Sequence, residues 1–386
     1  MNATFKHYDL TLLEPDFGSH LTDLIIELDY LRKKRLGGTT HPSIFFQLKN
    51  IFHILESIGS ARMEGNRTTV ANYIEKRIDK VHLNNEKDTG IQNLEQAMAF
   101  IDQNIGTSQI NRVFLSELHK RVVKNLTKPP EGEGSDNPGE YRKINLEIVE
   151  SNHLPPEMIH VKGYMDDLLS FINKVDSTKY DLLKTAIAHH RMAWIHPFDN
   201  GNGRTVRLLT YAMLVKQGFN VSVGRILNPT AVFCIDRDKY NEALSWADSG
   251  TREGVLKWCE YVLSGLKNEI EKIDKLLDYD FLKAKILLPS ISFALEREII
   301  TDLESKILKV AINKQVFMSS DIEQLMPGKI YTQRSRVLKE LRNKKMIAPT
   351  EDKSKKYTLR FDNNYLLRGI VKMLEGEGFV PIKDQI

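Results

Sequence analysis

Apolar residues three and four apart recur along most of this 386-residue chain, and that spacing commits it to helices. The windows 20–36, 41–59, 93–105, 113–126, 160–175 and 180–195 each carry such a stripe, whereas strand-like alternation is scarce. A mainly α fold is expected. The 41% apolar content supports ordinary buried cores, and the length allows two or three domains.

Two regions interrupt the helical pattern. Residues 129–159, PPEGEGSDNPGEYRKINLEIVESNHLPPEMI, are too rich in Gly and Pro for a helix, and NLEIV alternates like a short strand. Residues 141–156 therefore read as an exposed β-hairpin flap. Residues 267–300 read as a charged helical connector, ended or kinked near Pro289. Beyond it come a helix, SSDIEQLM as a second, a turn at Pro327-Gly328, YTQRSRVLKELRNKKMI as a third, and a two-stranded ribbon through APTEDKSKKYTLRF. That order is the pattern of a winged helix. The expected segments are an N-terminal helical region 1–110, a core with flap 111–266, the connector 267–300, and a winged-helix domain with C-terminal helix 301–386.

Composition excludes several classes of function. The chain's 55 basic and 51 acidic residues nearly cancel, so a basic surface has to be local. Cys234 and Cys259 are too few for a disulfide framework and lack zinc-site spacing. No leader-like or membrane-length apolar run occurs. The expectation is a cytoplasmic protein with no membrane partner.

The densest chemistry lies in HPFDNGNGRTVR, residues 196–207. A helix precedes it, Pro197 cannot continue that helix, and Gly201 and Gly203 permit a tight loop before a second helix starts. Unpaired N–H groups and partial positive charge at a helix start make Gly201, Asn202 and Gly203 a natural anion cradle. Arg204 and Arg207 lie three apart, so their two permanently charged forks share one face and suit a polyphosphate. His196 is the one local group that accepts a proton near neutral pH. Each residue alone fits an ordinary turn; together they point to transfer from a nucleoside triphosphate to a hydroxyl.

This stretch resembles the signature of the Fic (filamentation induced by cAMP) family: His196, Phe198, Gly201, Asn202, Gly203, Arg204 and Arg207 all match. The resemblance implies an all-α core in which His196 deprotonates a Tyr, Ser or Thr hydroxyl, on a target protein or on the chain itself, and AMP is transferred from ATP. It further implies that Phe198 packs beneath the loop, that Asn202 and nearby amides hold phosphate oxygens, and that Arg204 and Arg207 grip the outer phosphates. Where the family usually places an acid that ligates Mg²⁺, this chain has Asn200, with Asp199 one position earlier; an amide oxygen is a legitimate but uncharged ligand. Doc-type relatives that transfer the γ-phosphate carry Lys at the position of Gly203, which places this chain on the AMP-transferring side.

Upstream, SARMEG resembles the family's inhibitory helix, with Ser60, Glu64 and Gly65 in the motif positions. Ser60 and Glu64 are four apart and share a helix face, so Glu64 is expected to pair with Arg207 and deny it to ATP. A role for Glu64 in removing AMP is a lesser alternative. GEYRKINLEIV resembles the family flap that holds a target segment by strand addition, and RDKYNEAL resembles a later helix that puts Tyr240 and Asn241 near the nucleotide. Relatives also suggest a homodimer.

Residues 311–360 hold 12 Lys and Arg against 5 Asp and Glu. Thr332, Gln333, Arg334 and Arg336 open the third helix of the unit, and Lys353, Lys355 and Lys356 lie in the ribbon turn. These residue types suit DNA contact, and equally a protein-docking face. The leading expectation is an autoinhibited protein adenylyltransferase. The alternatives are a DNA-binding regulator that senses nucleotide through the same core, and an enzyme with a different donor.

Overall fold

The computed structural model describes residues 5–33, 39–79, 85–148, 151–219, 229–351 and 354–380. It is mainly helical, and the chain forms two compact units that interleave in sequence. The first comprises Met1–Arg35, Glu56–Thr68 and Asn84–Ile270; the second comprises Leu36–Leu55, Thr69–Leu83 and Glu271–Ile386. Helix α2 (Pro42–Met63) thus contributes its beginning to the second unit and its end to the first.

At the centre of the first unit, α7 (Asp181–Ile195) packs against α8 (Asn202–Lys216). Every residue of α8 from Arg204 to Val215 is buried, which is the signature of a helix surrounded on all sides. Helix α6 (Met158–Asn173) covers α7, while α4 (Glu86–Asn104) and α5 (Arg112–Val122) cover α8. Side-chain caps fix where these begin: Asn85 accepts from the Asp88 N–H and Asn111 from the Phe114 N–H. Helix α10 (Arg237–Asp248) starts the same way on Asp236, and Trp258 of α11 (Arg252–Leu277) donates its indole N–H to the Ala186 carbonyl at 2.7 Å.

The second unit holds α14 (Asp302–Lys314), a 3-10 segment Ser319–Leu325, α15 (Tyr331–Asn343), and strands β1 (Ile347–Pro349) and β2 (Tyr357–Leu359). The strands are antiparallel, with Ile347 opposite Leu359, and Phe317 bridges to Tyr357. Helices α13 (Leu288–Glu296) and α16 (Leu366–Gly376) pack on each other. The start of α2 is tied in by Gln47, which donates to the Leu359 carbonyl at 2.8 Å and accepts from the Phe361 N–H at 2.7 Å.

Three local expectations change. The segment 267–300 is not one helix: it breaks at Asp278 and not at Pro289. Helix α11 stops at Leu277, and α12 (Tyr279–Phe281), a π segment Leu282–Leu287 and α13 then run on without a break, so Pro289 lies inside a continuous helix just past the widened π turn, where a kink is expected. SSDIEQLM is a 3-10 segment. Residues 141–148 and 151–156 form no hairpin among the described residues, only a single bridge position at His153. Their polar groups have other partners, for example Asn145 Oδ1, which accepts from the Met158 N–H at 2.8 Å. Val149 of NLEIV and Lys353 lie outside the described residues. No described helix is long and apolar enough to cross a membrane.

Candidate active site

Helix α7 ends one residue before His196, which caps it in the left-handed conformation at φ 51° while its N–H still reaches the Met192 carbonyl. That turn places the imidazole at the mouth of the loop. Arg142 locks the geometry. Its Nε donates to the His196 carbonyl at 2.9 Å, its backbone N–H to the Pro197 carbonyl at 2.8 Å, and its Nη1 to the Ile144 carbonyl at 2.8 Å. Its Nη2 also bonds the Pro156 carbonyl, so one buried guanidinium joins the loop to both ends of the segment expected as a flap.

Below the loop, the fully buried Phe198 ring stacks on His119 with centroids 3.9 Å apart and planes within 3°. His119 Nδ1 accepts from the Gly139 N–H, so its Nε2–H donates to the Asn200 carbonyl at 3.0 Å. Burial pushes this imidazole down to about 4, which keeps it neutral in that tautomer near pH 7. The Asn202 carboxamide closes the loop, accepting from the Phe198 N–H at 2.9 Å and donating to the Phe198 carbonyl at 2.8 Å. The carboxamide keeps a second Nδ2–H, and Asn202 is among the residues that line the adjoining cavity. What α8 offers an anion at this point is its first-turn N–H groups, which no intrahelical carbonyl reaches.

The two candidate cation ligands are also committed. Asp199 accepts from Ser135 Oγ at 2.5 Å, from the Asp136 N–H at 2.9 Å and from the Asn137 N–H at 3.3 Å. Asn200 Oδ1 accepts from the Gly201 N–H at 2.7 Å. No group of three or more His, Cys, Asp or Glu among the described residues is placed to hold a metal. Asp199 is engaged at both oxygens, whereas Asn200 Oδ1 accepts a single hydrogen bond.

Helix α2 ends in a Schellman turn, with Gly65 at φ 94°, its N–H on the Arg62 carbonyl and the Asn66 N–H on the Ala61 carbonyl. This holds Glu64 at the helix end, facing α8. Arg207 donates through Nη2 to Glu64 Oε1 at 2.7 Å, and through Nε and Nη2 to Ser60 Oγ and the Ser60 carbonyl at 2.8 and 2.9 Å. Gly203 is what permits this approach: a Cβ there would lie 2.4 Å from Glu64 Oε1. A cavity of about 410 Å³ is lined by Glu64, His196, Gly203, Arg207, Tyr240 and Asn241, among others. The Tyr240 hydroxyl is bonded to His189 Nε2 at 2.9 Å, whereas Asn241 borders the cavity.

The comparisons agree with this geometry. Residues 109–214 match the Fic/DOC family. This segment is a Fic/DOC domain. Over 206 residues, 52% of this chain, the sequence is 28% identical to Protein adenylyltransferase Fic of Aedes aegypti, and over 203 residues it is 29% identical to the protein of that name from Drosophila erecta. The chain matches 37% of the length of each of these curated relatives. In fold, it is similar to a Fic family protein from Desulfovibrio desulfuricans G20, with TM-score 0.57 and 18% identity, covering 92% of this chain and 98% of that one.

Burial and neighbouring charge together set the protonation of the groups around the cavity. Burial alone would raise Glu64, but Arg207 and Arg204 outweigh it and hold the carboxyl below its ordinary range. With the folded value depressed, the pair contributes fully above the ordinary carboxyl value of 4.5 and is lost as pH falls through the folded one. Burial, aided by Arg142, pushes His196 down to about 4, so its ring is neutral and able to accept a proton at pH 7. Sequence reasoning does not single out Arg142, His119 or Glu133; GEYR carries the only hint of the first. An NMR titration of the folded protein is expected to show His196 charging near 4, while a midpoint near the ordinary 6.5 would mean that water reaches the ring freely.

Proposed function

We propose that the chain transfers AMP from ATP to a hydroxyl of a protein, and that Glu64 restrains this activity. His196 takes the hydroxyl proton, the freed oxygen attacks the α-phosphorus, the bond between that phosphorus and the bridging oxygen of the β-phosphate breaks, and pyrophosphate leaves. The observation that carries the reading is one cavity bordered by a neutral His196, the start of α8 and Arg207. The names of the Aedes and Drosophila relatives support it. Arg204, Arg207 and the first-turn N–H groups of α8 are the phosphate-binding groups, and Asn241 borders the nucleotide. Magnesium enters with ATP, and the Asn200 carboxamide oxygen, which accepts one hydrogen bond within the loop, is the candidate protein ligand. Glu64 restrains the reaction by occupying Arg207, which cannot serve a carboxylate and a γ-phosphate in the same geometry. Incubation with ATP labelled on the α- or γ-phosphate should put only α-label on protein, more with Glu64→Gly and none once His196→Ala is added. Label from the γ-phosphate alone, or full activity without His196, would overturn this assignment.

A second reading concerns the second unit, read as a winged helix that binds duplex DNA. It is supported by exposed Thr332, Gln333, Arg336 and Lys339 on α15, with exposed Lys355 and Lys356 before β2. Fluorescence anisotropy with a labelled random-sequence duplex should show binding that weakens steeply with salt, and Arg336→Ala with Lys339→Ala should reduce the logarithmic salt slope by roughly 2. An unchanged slope, or no binding at low salt, would remove it.

A further inference from the structure

Arg207 is not the sole guanidinium of the loop already holding a carboxylate. Arg204, 1% exposed, donates through Nη2 to the Glu133 carbonyl at 2.8 Å, and its Nη1 lies 3.1 Å from Glu133 Oε2. Its Nε and Nη1 make no hydrogen bond among the described residues, so an anion better placed than Glu133 has two buried donors to gain.

The loop that presents Glu133 is firmly held. Glu86 Oε1 accepts from the Glu133 N–H at 3.1 Å and from the Thr127 N–H at 3.0 Å, and a Cβ on Gly132 would lie 2.3 Å from that same oxygen. Only the Glu133 carboxyl end is free to leave Arg204, because the side chain is partly exposed while the backbone is pinned. The two arginines of the loop thus each face an acidic side chain from a separate element, Glu64 from the end of α2 and Glu133 from the segment before Gly139.

We propose that Glu133 is a second intramolecular brake on polyphosphate binding, holding Arg204 as Glu64 holds Arg207. This rests on the reading of the loop as a polyphosphate site. Removing Glu64 alone leaves the site half-open. The two carboxylates also repel one another: Glu133 is raised first by burial, against Arg204, and further by Glu64. Loss of Glu64 therefore strengthens Glu133's hold on Arg204, and the effect of losing Glu133 is larger in that background than in the wild type.

The test is the dissociation constant for ATP, by calorimetry with and without Mg²⁺, for the full chain as wild type, Glu133→Gln, Glu64→Gly and the double variant. Gln keeps the shape of the side chain and the backbone bond to Arg204, and exposed Glu131→Gln serves as the control in the same loop. Glu133→Gln is expected to tighten ATP binding about fivefold in the Glu64→Gly background and less in the wild type, with the control unchanged and with ATP restoring part of the melting temperature that loss of the buried pair costs. Unchanged or weaker binding of the double variant relative to Glu64→Gly overturns the proposal; weakening confined to the Mg²⁺ series would assign the carboxylate to the cation instead. Failure of Glu64→Gly itself to tighten ATP binding would count against the polyphosphate reading, and the second brake would fall with it.

Discussion

A guanidinium buried at the centre of a helical core has to be neutralised where it stands, and Arg207 meets that demand through Glu64 and Ser60. Much of the site's construction serves this contact. The Schellman turn at Gly65 brings Glu64 to the end of α2, and the missing side chain of Gly203 lets the carboxylate approach α8. Removing only the carboxylate leaves a buried cation that an incoming anion can satisfy. The pair therefore links stability of the empty domain to its appetite for phosphate, which is the physical basis proposed for its restraint.

The loop between α7 and α8 is rigid because its own side chains are spent on its shape. Asn202 clasps the backbone of Phe198, His119 stacks beneath Phe198 and holds the Asn200 carbonyl, Asp199 gathers the turn at 135–137, and Arg142 fastens the His196 carbonyl. Backbone N–H groups at the start of α8 and Arg207 are left to face a ligand in the cavity. Such preorganisation is what a site stabilising developing charge requires, since little has to move when the reacting groups arrive.

The sequence made the helices and the contents of the loop legible, because His196 to Arg207 are contiguous and their geometry follows from a helix stop, two glycines and a helix start. It made the partner of Arg207 legible as well, through the resemblance of SARMEG to the family's inhibitory motif, although the two halves lie 143 residues apart. The commitments of Asn202, Asp199 and Asn200 were not legible. A short polar side chain in a loop serves backbone or ligand equally well until the neighbouring turn is known, and in this chain that turn comes from 135–137. Glu133 was hidden for the same reason: nothing in a Gly-rich segment says which of its carboxylates folds back onto α8. The interleaving of the units was also invisible, because a long helix such as α2 shows one continuous pattern whatever each half packs against.

The most direct measurement is a double-mutant cycle on ATP affinity with Glu64→Gly and Arg207→Ala. If the carboxylate acts by occupying that guanidinium, Glu64→Gly tightens ATP binding when Arg207 is present and gains nothing when it is absent. An equal gain in both backgrounds would mean that Glu64 opposes the nucleotide by some route other than Arg207, and would contradict the central role of their pairing.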